Sequence, residues 1–85
     1  MPLVKLYANL RNIAGKKELY ITGASLGQAL SDLIRQSPAL DGVILENGQI
    51  RPHFVITING LNATDLDASV TEEDMIAIFP PIAGG

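Results

Sequence analysis

His53 is the one histidine in 85 residues, and there is no cysteine. Those two facts remove most side-chain chemistry. A thiolate nucleophile, a disulfide and a thiolate metal site are excluded. A zinc site would have to be completed by carboxylates alone. Ser25, Ser31, Ser37 and Ser69 can each be written into a triad with His53 and an aspartate, but nothing around them marks an activated nucleophile. Asp65 and Asp67 alternate along an extended stretch and read as a solvated edge, not an acid–base pair. The G-x-x-x-G from Gly23 to Gly27 lacks the lysine and the strand–helix context of a phosphate cradle. One reactive group is left, the terminal carboxylate of Gly85.

The residues before that carboxylate suit it. The chain ends FPPIAGG, Phe79 to Gly85. Gly84 and Gly85 have no Cβ, so they can enter a narrow channel and take whatever backbone angles an active site demands. Pro80 and Pro81 favour an extended conformation and hold Ile82 and Ala83 off the domain. A flexible tail over 80–85 is expected, with a reach of roughly 20 Å when extended. A carboxylate is a poor electrophile and must be activated, usually by adenylation with ATP. No ATP site is visible in this chain, so another protein has to supply one.

The elements that position the tail follow from periodicity. LVKLYA (3–8) reads as a strand with Val4, Leu6 and Ala8 inward and Leu3, Lys5 and Tyr7 outward. NLRNIAG (9–15) holds one helical turn ended by Gly15. ELYIT (18–22) is a second strand, antiparallel to the first, with Tyr20 outward. Ser25 and Gln28 form a capping box, and Leu26, Ala29, Leu30, Leu33 and Ile34 make the apolar stripe of a helix that Pro38 stops. Residues 39–52 give a short turn packed on the core and a tight turn at Asn47-Gly48. FVITI (54–58) is a strand, Asn59-Gly60 a hairpin turn, and the return strand near Leu61–Ala63 is short. MIAIF (75–79) is the last strand, with Ile76 and Ile78 inward and Met75, Ala77 and Phe79 outward. Pairing ends at Pro80-Pro81, which cannot donate ladder hydrogen bonds. One long helix covers one side of such a sheet. The open side then carries Leu3, Tyr7, Tyr20, Ala77 and Phe79, with Leu61 beside Phe79. Clustered aromatics next to an extended tail suit a protein interface.

Two cores do not fit in this length, so residues 1–85 are one domain. At 47% hydrophobic and 18% charged, the chain has material for a packed core. The N-terminus MPLVKLYANLR lacks a basic region followed by a long apolar stretch. No apolar run approaches the ~20 residues that span a membrane. A cytoplasmic protein with no membrane contact is expected. Net charge is −3, and every Lys and Arg lies at or before Arg51. Asp65, Asp67, Glu72, Glu73 and Asp74 follow it. That acidic third disfavours nucleic acid and suits a basic protein partner.

FPPIAGG resembles the terminal signature of MoaD-type proteins, the small subunit of molybdopterin synthase, within the MoaD/ThiS group of ubiquitin-like sulfur carriers. VKLYANLRNIAG is similar to the opening strand and turn of that family, and INGLNA and TEEDMIAIFPP sit where its pattern expects them. The resemblance implies an α+β fold, a β-grasp (ubiquitin-like) roll with a mixed four- to five-stranded sheet and one main helix. It also implies a cycle at Gly85. An E1-like adenylyltransferase (MoeB-type) adenylates the carboxylate, and a sulfur donor converts it to a thiocarboxylate. The tail, Pro80 to Gly84, then threads the active site of the large subunit (MoaE-type), and the sulfur passes to the pterin precursor. On this resemblance Tyr7, Leu61 and Phe79 meet the partner. No cofactor or metal is bound by the chain, ATP is used by the activating partner, and the chain is a sulfur-donor subunit that is no enzyme alone. Related readings are sulfur supply for thiamine, tRNA thiolation or cysteine. A different class is a ubiquitin-like protein modifier, and the plainest is a binding module whose tail does nothing.

Overall fold

The computed structural model describes residues 1–81. Its elements are β1 (Leu3–Leu6), α1 (Leu10–Ala14), β2 (Glu18–Tyr20), α2 (Leu26–Gln36), a 3-10 turn (Pro38–Leu40), β3 (Leu45–Glu46), β4 (Gln49–Ile50), β5 (Val55–Ile58), β6 (Leu61–Asn62) and β7 (Met75–Phe79). Five strands form one sheet in the order β2-β1-β7-β5-β6. The central pair β1 and β7 is parallel, and the other neighbours are antiparallel. With α2 against one side, this is the β-grasp, ubiquitin-like roll.

Alternation along the strands builds the core. Val4, Leu6, Leu19, Ile56, Ile76 and Ile78 are buried on the helix side of the sheet. They meet Leu26, Ala29, Leu30 and Leu33 of α2, which fall on one helical stripe. Leu10, Leu40 and Ile44 close the same core, all fully buried. Each large aliphatic chain buried this way is worth about 1.5–3 kcal/mol.

The start of α2 shows why Gly23 and Gly27 stand where they do. Ser25 Oγ accepts from the Gln28 amide, and Gln28 Oε1 reaches back to the Ala24 amide. The box therefore closes one residue earlier than the usual pattern. The next free amides of the helix go elsewhere: Leu26 N–H donates to Ala68 O and Gly27 N–H to Leu66 O. A Cβ on Gly27 would lie 3.2 Å from Leu66 O, so the glycine lets the 65–70 segment close onto the helix end. Gly23 has φ +149, and a Cβ there would meet the Ala29 nitrogen at 2.7 Å. Both glycines serve close backbone packing.

The structure departs from the sequence reading within several elements. β1 ends at Leu6, and Ala8 is exposed with φ 54, so it leaves the inward face to turn the chain into α1. The second strand stops at Tyr20 rather than running to Thr22. The 39–52 region holds a 3-10 turn and a second, two-stranded sheet, β3–β4. Asn47 and Gly48 at φ 54 and 77 make its turn, the same left-handed pair that Asn59 and Gly60 use between β5 and β6. Finally, Ala77 is buried at 5% exposure although it points to the open side. Its register partners are Lys5 and Thr57, and their longer side chains overhang a single methyl group.

Candidate functional site at the tail root

Three strand ends converge where the tail leaves the sheet. In the parallel pair, Leu6 is opposite Ile78, which puts Tyr7 beside Phe79. In the antiparallel pair, Val55 is opposite Phe79. Lys17 O accepts from the Leu6 amide, so the start of β2 reaches the same end. Beyond Phe79 the ladder stops, because Pro80 and Pro81 have no N–H to give. Pro80 is half-buried and Pro81 exposed. Both line a groove with Asn9, Val43, Arg51 and His53. Gly84 and Gly85, with Ile82 and Ala83, lie outside the described residues.

The register assembles an aromatic platform at this exit. Tyr7 and Phe79 stack with ring centroids 4.5 Å apart and planes 15° apart. The Arg11 guanidinium lies over the Tyr7 ring, 5.2 Å from its centroid. Its Nε donates to Leu6 O, which fixes the guanidinium in place. The ring pair is worth roughly 0.5–1.5 kcal/mol and the cation–π contact about 0.5–1 kcal/mol at an exposed site. Phe79 keeps 37% exposure and its neighbour Val55 45%, so the platform offers apolar surface beside the tail. Val55 and Arg11 were not singled out from the sequence. Strand alternation opposite Ile56 was the available signal for Val55; for Arg11 there was none.

Leu61 does not join this platform. It is opposite Ile58, three residues along β5 from Val55 and one strand further out. Strand geometry then sets it roughly 14 Å from Phe79. It is an isolated exposed leucine at the hairpin end. Tyr20 is likewise remote, paired with Leu3 at the opposite end of β1.

His53 is exposed at φ 70, a loop position ahead of β5. Among the described residues no group of three or more His, Asp or Glu is placed to hold a metal ion. No helix among them is long and apolar enough to cross a membrane.

The carboxylates hold the fold. Asp32, buried within α2, accepts from the Thr22 amide at 2.8 Å, from Arg35 and from Gln36 Nε2 at 2.9 Å. Gln36 also donates to Tyr20 O, so one cluster ties the end of β2 to the helix. The Thr22 hydrogen bond first, then Arg35 and Gln36, lower the Asp32 carboxyl to about 2. Asp74 accepts from the Thr71 amide and from Asn59 Nδ2, and these bonds hold its carboxyl below the usual range. Asn59 Oδ1 in turn accepts from the Met75 amide, pinning the hairpin to the start of β7.

A carboxyl whose folded pKa is depressed stabilises the fold above its unfolded value, and that stability drains away as pH falls through the folded value. For Asp32 the window runs from about 4 down to about 2 and is worth on the order of 2 kcal/mol. Asp32→Ala is expected to cost about 2–3 kcal/mol at neutral pH, because the Thr22 amide also loses its partner. Urea unfolding at pH 7 and pH 3 checks this. The gap between variant and wild type should narrow at the lower pH; a constant gap would contradict the assignment.

Charge is divided between the two ends of the sheet. Arg11, Lys16, Lys17 and Arg51 lie at the tail end, where the first three line one hollow and Arg51 lines the tail groove. Asp74 O accepts from the Leu3 amide at the other end, with Thr71, Glu72 and Glu73 just before it. Asp65 is not with them: beyond β6 the Ala63 amide donates to Ile56 O, and Asp65 lines a hollow with Arg51 and Phe54. Glu72, Glu73 and Asp74 therefore lie away from the tail.

The family model described as the ThiS family matches residues 4–85, through to the final glycine. The chain belongs to the ThiS family. Among ThiS-like relatives, small archaeal modifier protein 3 of Haloferax volcanii is 31% identical over 88 residues, with 96% of each chain covered. The molybdopterin synthase sulfur carrier subunit of Arabidopsis thaliana is 31% identical over 85 residues, covering 96% of this chain and 80% of that one. The crystal structure of small archaeal modifier protein 1 from Haloferax volcanii superposes with a TM-score of 0.91 at 31% identity, covering 99% of this chain and 98% of that one. The chain is thus a ubiquitin-like domain of a family that includes sulfur carriers and protein modifiers.

Proposed function

We propose that this chain is the sulfur-carrier subunit of a molybdopterin synthase. The carboxylate of Gly85 attacks the α-phosphorus of ATP in an E1-like, MoeB-type partner and expels pyrophosphate. A sulfur donor displaces AMP from the acyl-adenylate and leaves a thiocarboxylate. Pro80 to Gly84 then lead that group into a MoaE-type subunit, where the sulfur passes to the pterin precursor. Tyr7 and Phe79 form the apolar seat for the partner, and Leu61 is a separate contact at the hairpin end. The observation that carries the reading is the family match running to Gly85, on a chain whose sheet pairing ends at Phe79. The Phe-Pro-Pro before the tail and the Arabidopsis thaliana relative support the molybdopterin branch.

A second reading is favoured by the archaeal relatives, which carry the name of modifiers. There the acyl-adenylate passes to a lysine amine and forms an isopeptide bond. One experiment separates the two. The thiocarboxylated chain is mixed with a MoaE-type subunit and pterin precursor, and cell extract is probed for chain covalently attached to other proteins. Dithiolene product with only free chain in extract supports the carrier. Lysine-linked species without product support the modifier.

A further inference from the structure

We infer that the tail root is a cationic docking ring, and that the enzyme activating Gly85 receives it with an acidic surface around its tail channel. This rests on the proposed activation at Gly85 but adds the partner's chemistry. The chain as a whole is acidic, at −3, which on composition alone favours a basic partner. The fold reverses that expectation locally. Arg11 sits over the Tyr7–Phe79 stack, Lys16 and Lys17 follow it in the loop to β2, and Arg51 lines the groove of Pro80 and Pro81. Glu18 follows Lys17 in the chain, Asp41 precedes Gly42 of the tail groove, and Asp65 shares a hollow with Arg51. Of the remaining cations, Arg35 bonds Asp32, and half-buried Lys5 stands opposite Glu18 in the β1–β2 register.

Glu72, Glu73 and Asp74 lie beyond the far end of β7, where Asp74 O meets the Leu3 amide; Asp65 instead shares a hollow with Arg51. Four residue steps along β7 span ~13 Å. That exceeds the ~8–10 Å over which salt screens exposed charges, so the ends act as separate fields. An acidic partner surface attracts the tail end and repels the other, which orients the chain tail-first during encounter. Such complementarity acts mainly on the association rate.

The test is ATP–pyrophosphate exchange by an E1-like adenylating enzyme, across a salt series. Lys16→Glu with Lys17→Glu is compared with Glu72→Lys with Glu73→Lys; all four positions are exposed. Thermal melts confirm that both variants fold, and Lys16→Gln with Lys17→Gln serves if the reversal does not. The tail-end reversal is expected to lower kcat/KM about tenfold at low salt with kcat retained, and to flatten the salt dependence. At about 0.15 M salt, where screening separates the ends, the far-end reversal should stay within about twofold of wild type. Equal kcat/KM for the tail-end variant and wild type, with wild type active, would overturn the ring and leave activation at Gly85 standing. Failure of wild type to exchange at all would remove the proposed activation, and the ring with it.

Discussion

A chain that stops at Gly84 is expected to lose sulfur loading outright, by at least about a thousandfold in the rate of acyl-adenylate formation. The carboxylate would still exist, one residue short. A displacement of a residue length, roughly 3.5 Å, is larger than the misplacements that cost about a hundredfold when a reacting atom leaves its attack position. The fold should not notice, because pairing ends at Phe79 and the core is made of residues before it. Extending the chain by one alanine should do the same, since the reacting group moves past its position. The measurement is adenylate formation by the E1-like enzyme beside an unfolding curve. Loading that survives both changes would return the tail to the status of an inert extension.

Phe79→Asp is expected to weaken partner binding by at least about a hundredfold, close to 2.7 kcal/mol. Phe79 is half of a stacked pair at the rim of the tail exit, and aromatic anchors of this kind carry a large share of interface energy. The carboxylate would also sit in the middle of surface that a partner must desolvate. Stability should fall by only about 1 kcal/mol, the order of the lost stack, because the ring is already 37% exposed. Titration calorimetry with the partner and urea unfolding are read together. Unfolding of the variant would show that Phe79 is a core residue. Unchanged affinity with an intact fold would remove the platform from the interface. Leu61→Asp provides a contrast: standing apart from the stack, it should weaken binding less than Phe79→Asp does.

Much of the architecture could be read from spacing. The stripe of α2, the alternation of β5 and β7 and the Asn59-Gly60 turn are local patterns, and local patterns survive folding. The same alternation placed Tyr7 and Phe79 on the open side before any pairing was known. What failed were statements that depend on neighbours. Ala77 faces outward yet is buried, because Lys5 and Thr57 flank it across two different strands. Leu61 was set beside Phe79 by assuming a register, and the two-residue turn sets another. Asp32 drew no notice as one charge within a helix; its role exists only because the Thr22 amide comes back against α2. The direction of the charged ends needed the parallel β1–β7 pairing, which brings Arg11 and Lys17 to the tail and carries Glu72 and Glu73 away from it. The Gly85 carboxylate, by contrast, was singled out by elimination from residue types, while its sulfur chemistry rests on the family resemblance and is proposed.

Intact mass spectrometry of the chain after incubation with an E1-like enzyme, ATP and a sulfur source addresses the reacting group itself. The expected result is a mass gain equal to one oxygen replaced by sulfur, carried on the peptide that ends in Gly84-Gly85. A mass that stays unchanged while the enzyme loads its own cognate carrier, or a gain located on any other peptide, would contradict it.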